Sequence, residues 1–152
     1  MTIGVVEMTI GMVEIADNDL LNSPANRRGE FYTDEGCFVL ELSNRPDDPA
    51  LSIARVRVLP GAITRWHRLQ GTAERYVILE GKGLAEVGGM DPQEVSAGDV
   101  VLIPPWCPQR IANIGQGDLI FLALCTPRFT QEIYEDIDIN PGLEPGKGEF
   151  GL

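Results

Sequence analysis

Between Cys37 and Cys125 apolar and polar residues alternate in short runs, cut at close intervals by glycine and proline. A period of two marks half-buried β-strands, because successive side chains point to opposite faces. The pattern predicts strands near 37–42, 51–58, 63–68, 73–79, 83–88, 93–95, 100–103, 108–113 and 118–125. LEGKG (Leu79–Gly83) and VGGMDP (Val87–Pro92) have the composition of tight turns between antiparallel strands. No helical period longer than two turns precedes residue 129. Many short strands at even spacing predict an all-β sandwich or small barrel.

The same alternation assigns faces. In 51–58, Ser52, Ala54, Val56 and Val58 turn inward, and Leu51, Ile53, Arg55 and Arg57 turn outward. His67 and Leu69 share a face, as do Glu74, Tyr76 and Ile78, and Cys125 points inward with Phe121 and Ala123. LIFLALC (Leu119–Cys125) is apolar at every position, which predicts cover on both faces. A second subunit supplying one cover makes the chain a homodimer.

Three parts follow along the chain. Residues 1–29 form an N-terminal segment in which MTIGVVE is followed by MTIGMVE; the first copy reads as dispensable and the second as an edge or swapped strand. Residues 30–128 form the β-barrel. Residues 129–152 hold a short helix over Thr130–Asp136 and a flexible tail rich in proline and glycine.

Charge then narrows the partners. The 152 residues carry 23 acidic against 12 basic side chains, a net charge of −11. Such a surface repels phosphate backbones and anionic membranes, so neither nucleic acid nor membrane is an expected partner. No apolar run reaches the length of about eighteen residues that a membrane helix needs, and no basic start precedes an apolar block as in a secretory signal. Cys37, Cys107 and Cys125 lack CxxC or CxxxC spacing, which speaks against a disulfide framework or a cysteine zinc site. A soluble, cytoplasmic protein is expected. With His67 the only histidine, and with no GxSxG elbow, Walker loop or GxGxxG, most hydrolase and nucleotide chemistries have no residues to run on.

Two stretches carry a resemblance. Gly61, His67, Glu74 and Gly81 fall at the spacings of the motif G-x5-H-x-H-x(3,4)-E-x6-G, with Leu69 in place of the second histidine. GDVVLIPPWCPQRIAN supplies Gly98, Pro104 and Asn113 of G-x5-P-x-G-x2-H-x3-N, with Trp106 for the motif glycine and Gln109 for the motif histidine. In these residues the chain resembles the cupin superfamily, and in particular small single-domain cupins described as mannose-6-phosphate-isomerase-like. The resemblance implies a double-stranded β-helix, or jelly-roll, barrel with a site in its mouth. It also implies a divalent metal (Mn, Fe, Ni or Zn) on His67, Glu74 and Gln109. Leu69 has no donor atom, and the Gln109 amide oxygen is a weaker ligand than imidazole. The motif glycines 61, 81 and 98 also have a structural reason to be there, since each closes a strand connection where positive φ is expected.

Two functions remain open at this point. One is a metal-dependent isomerase or epimerase acting on a sugar or sugar phosphate, with Glu74 and Tyr76 as catalytic groups and Arg65, Gln109 and Trp106 against the substrate; a dioxygenase is its variant with a redox metal. The other is a non-catalytic module that holds a small polar molecule such as a sugar.

Overall fold

The computed structural model describes residues 29–139. The expected features of the first 28 residues and of the tail from 140 onward lie outside them. Eleven strands follow in order: β1 (Phe31–Tyr32), β2 (Phe38–Ser43), β3 (Ser52–Val58), β4 (His67–Leu69), β5 (Ala73–Glu80), β6 (Lys82–Val87), β7 (Gln93–Ser96), β8 (Val100–Ile103), β9 (Gln109–Asn113), β10 (Leu119–Thr126) and β11 (Tyr134–Asp136). They form two antiparallel sheets, one ordered β1-β2-β3-β10-β5-β8 and the other β11-β4-β9-β6-β7. The inner faces of the two sheets enclose one interior, the jelly-roll arrangement that the alternation requires.

Register explains the shape of that interior. Along the large sheet the inward residues come in layers: Leu119 beside Val58, then Phe121 between Val56 and Ile78, then Ala123 between Ala54 and Tyr76, then Cys125 between Ser52 and Glu74. At one end Val58, Ile78, Ile111, Leu119 and Phe121 are fully buried and fill the space. Toward the other end the layers shrink to Ser52, Ala54, Ala123 and Cys125. Small side chains cannot span the gap between the sheets, and a cavity of about 590 Å³ opens there.

The motif glycines close the strand connections as expected. Gly61, Gly81 and Gly98 have φ of +82°, +92° and +98°. At Gly81 a Cβ would also meet the Asp118 carbonyl oxygen at 2.5 Å and the Leu119 Cα at 2.9 Å. Trp106 takes the place of a motif glycine yet keeps the left-handed backbone, with φ of +67°. Asn113 is a structural residue: its Nδ2–H groups donate to the Val58 and Gly117 carbonyls at 2.8 Å, and its Oδ1 accepts from the Gly115 N–H.

Two elements differ from the sequence expectation. The helix over Thr130–Asp136 reduces to one 3-10 turn at Gln131–Ile133, and Tyr134–Asp136 is strand β11, paired with Leu69–His67. The free edge of β4 offers backbone partners that seven residues of weak helical pattern cannot match. The strand near 63–68 begins at His67, with Ile63 forming only an isolated bridge to Ala112.

The inner faces of β3, β4 and β5 match the alternation. The outer face of the large sheet carries the cross-strand row Val100, Val77 and Leu122, with Leu102 and Leu124 on either side of Arg75. Val100 and Leu102 are 60% and 59% exposed, and Leu122 and Leu124 are half-buried, so among the described residues this face is only partly covered.

The Gly81 contacts lead to a direct expectation. Gly81→Ala should lower unfolding free energy by about 2 kcal/mol or more, since it adds left-handed strain to a backbone clash. A urea midpoint equal to wild type would contradict it.

Candidate functional site

The mouth of the barrel is built from three strands. His67 opens β4 and is the cross-strand partner of Gln109, the first residue of β9. Glu74 stands on β5 beside Cys125 of β10, with Tyr76 one layer deeper. All four side chains are buried, with exposures of 2% for His67, 8% for Glu74, 3% for Tyr76 and 1% for Gln109. Imidazole, carboxyl and carboxamide from two separated segments thus meet inside one enclosure, as the motif spacing implies.

Hydrogen bonding gives the group a direction. The Tyr76 hydroxyl donates to Gln109 Oε1. That leaves the Gln109 amide N–H₂ to donate toward Glu74, whose carboxyl also receives the Cys125 thiol. His67 Nδ1 lies 2.7 Å from the Arg65 carbonyl oxygen, which fixes Nδ1 as the donor and turns Nε2 toward Glu35 Oε2 at 3.5 Å. Tyr134 of β11 stacks on the imidazole with ring centroids 5.1 Å apart.

One atom in this set has no partner. Glu74 Oε1 is buried without a hydrogen bond, and its carboxyl lines the cavity. Burial raises the Glu74 pKa to about 7, and the neighbouring charge of Glu35 adds to the rise. His67 and the donors from Gln109 and Cys125 oppose it. Tyr76 is raised well above its ordinary value by burial and then by Glu74 and Glu35. Burial raises Cys125 as well. Neither Tyr76 nor Cys125 is therefore an anion near neutral pH.

The other expected contacts fall elsewhere. Arg65 does not line the cavity; its Nε donates to Asp136 Oδ2 at 2.6 Å and its backbone N–H to the Glu35 carbonyl. Trp106 is 51% exposed and lies under the Arg68 guanidinium, 5.8 Å from its ring centroid. Like Gln109, which was also expected against the substrate, it is absent from the cavity lining. Arg110 pairs with Glu86 and covers Trp66.

Two residues at the site have no signal in the sequence. Glu35 stands in the turn before β2 and Tyr134 in the stretch expected to be helical, and both line the cavity. Only the pairing of β11 with β4 and the fold of the 33–37 turn carry them to the mouth.

The donor set can be tested for a metal. Gln109 Oε1 already accepts from Tyr76, and the position of a further imidazole is held by Leu69, 3% exposed and apolar. Among the described residues no group of three or more His, Cys, Asp or Glu could hold a metal ion. The residues at the mouth do not fit a divalent transition metal, and the chemistry below takes no step through one.

Comparison with known proteins agrees with this architecture. The cupin domain profile matches residues 54–125, which include β4, β5, β9 and both motifs. An uncharacterized protein of Methanocaldococcus jannaschii is 33% identical over 110 residues, covering 71% of this chain and 87% of that protein. The chain belongs to the cupin family. An oxalate-binding protein of Thermotoga maritima is 37% identical over 71 residues, 47% of this cupin and 58% of the relative. Among solved structures, KdgF from Halomonas sp. superposes with a TM-score of 0.60 at 17% identity, over 68% of this chain and 92% of that one. A variant of Streptomyces PAC13 with uridine superposes with a TM-score of 0.62 at 16% identity, over 78% and 90%. At such identities these two structures speak to the fold alone.

The Glu74 environment sets a pH dependence. The carboxyl titrates near 4.5 in the unfolded chain and at about 7 in the fold. Between those values the native state holds a proton that the unfolded state has lost. The associated stability is therefore complete below about pH 4.5 and disappears as pH rises through 7. Relative to Glu74→Gln, wild type should lose on the order of 3 kcal/mol between these limits. Parallel stability curves for the two proteins would refute this origin.

Proposed function

We propose that this cupin binds a small polar molecule in the barrel mouth and moves a proton between adjacent carbons of a hydroxy-carbonyl compound, as an isomerase or epimerase does. One observation carries the reading: a buried carboxyl, with one oxygen unpartnered, faces a cavity of about 590 Å³. A carboxyl that titrates near neutrality is suited to take a proton from carbon and return it, since acid and base forms are both populated at the working pH.

The surrounding residues have roles consistent with that task. Glu74 is the proton carrier. Gln109, held by the Tyr76 hydroxyl, orients the carboxyl through its amide N–H. His67, fixed by the Arg65 carbonyl and stacked on Tyr134, moderates the charge at Glu74. The small layers of Ala54 and Ala123 leave room for the substrate. An unphosphorylated sugar-like compound is favoured over a sugar phosphate or a dicarboxylate such as oxalate, because no lysine or arginine is among the described residues lining the cavity. The cupin subtype named for mannose 6-phosphate accordingly has support here only in its reaction class.

The experiment is solvent exchange. Small unphosphorylated aldoses and ketoses incubated with the protein in deuterium oxide should gain deuterium beside the carbonyl. Glu74→Gln should slow that exchange on the order of a hundredfold or more while the protein stays folded. Binding without exchange would favour a non-catalytic sugar-binding module. A stoichiometric Mn, Fe, Ni or Zn ion, lost in His67→Ala, would replace this reading by the metal-dependent one.

A homodimer belongs to the same proposal, with the partly covered row of Val100, Val77, Leu122 and Leu124 as its interface. Wild type should sediment as a dimer, and Val100→Glu combined with Leu102→Glu as a monomer. A wild-type monomer at micromolar concentration would remove the interface.

A further inference from the structure

The lining of the cavity has a charge sign. Asp34, Glu35, Glu41, Glu74 and Asp136 contribute five carboxyl groups, and no lysine or arginine is among the described lining residues. Counter-charge nearby is incomplete. Asp136 receives Arg65, Glu41 receives only the neutral Asn44 amide at 2.9 Å, and Glu35 has the imidazole of His67 at 3.5 Å. Even with both Arg65 and His67 counted as cations, the carboxyl groups outnumber them.

A second, independent feature points to an occupant. Glu74 Oε1 is buried, lacks a hydrogen bond, and belongs to a side chain that faces this space. A buried acceptor without a donor costs free energy that a ligand N–H or positive charge would recover. Aromatic rings complete the wall: Tyr76 and Phe121 pack at 4.3 Å deep in the cavity, and Tyr32, Phe129 and Tyr134 also line it. Ring faces attract cations, more strongly when water is excluded, and carboxylates add to that attraction in a low-dielectric recess.

We infer that the molecule held in this cavity is a small organic cation, an amine or quaternary ammonium compound, with its positive nitrogen against Glu35 and Glu74 and its carbon groups on the aromatic wall. The inference rests on the cavity being a small-molecule site and narrows the substrate class to compounds that bear an ammonium group. An anion of equal size would meet the same carboxylates as repulsion.

Three probes of one shape and different charge test it: choline, 3,3-dimethylbutan-1-ol and 3,3-dimethylbutanoate, each titrated calorimetrically into the full chain. Choline should bind at least about tenfold more tightly than the alcohol, and the carboxylate should give no binding. Glu35→Gln should weaken choline about fivefold or more and leave the alcohol unchanged. Ala54→Leu, which fills the cavity, should abolish choline binding, and retention would place choline elsewhere and overturn the inference. If the alcohol binds as tightly as choline, or the carboxylate binds best, the charge inference fails while the small-molecule cavity stands. If none of the three binds, the charge inference fails, and the small-molecule site stands or falls separately on the sugar exchange experiment.

Discussion

The mouth of this barrel is organised around the desolvation of one carboxyl group. Glu74 sits in the last inward layer of the large sheet, beside Cys125 and across from the imidazole and carboxamide of the small sheet. Taking a carboxylate out of water is costly, and the protein responds by retaining the proton to about pH 7. The neighbours then have a common logic. Tyr76 holds Gln109, Gln109 presents an amide donor, and the Arg65 carbonyl fixes the tautomer of His67.

The cavity that Glu74 faces is a consequence of residue volume along four strands. At one end Val58, Ile78, Ile111, Leu119 and Phe121 are buried and close the interior. At the other Ser52, Ala54 and Ala123 are too short to do so. A single gradient from large to small side chains therefore yields a rigid core and an open site within one fold. Rigidity at the closed end matters at the open end, since both lie on the same continuous strands.

Departures from the familiar cupin motifs are best understood through this environment. Leu69 and Gln109 remove two imidazoles, and in their place stand an apolar contact and a carboxamide already engaged by Tyr76. The site that results trades coordination for hydrogen bonding and charge. Trp106 shows that a motif position can keep its backbone after losing its residue type: φ remains positive where glycine is customary, and the ring turns outward onto Arg68. Glu35 and Asp136 then give the open end a negative character that the net charge of −11 alone does not locate.

Most of the strand positions and the inward faces were legible without coordinates, because alternation depends only on the two-residue period of an extended chain. Ser52 to Val58 and Glu74 to Ile78 are examples. The meeting of His67, Glu74 and Gln109 was legible only through the resemblance to the cupin motifs, and the positive φ of Gly61, Gly81 and Gly98 from the absence of a side chain. Tertiary structure alone decided the rest. Whether Tyr134–Asp136 is helix or strand depends on the free edge of β4, a partner distant in sequence. Arg65 and Trp106 leave the cavity, and Glu35 enters it, for the same reason: strand pairing and turn geometry place side chains at the ends of strands, where local period no longer constrains them.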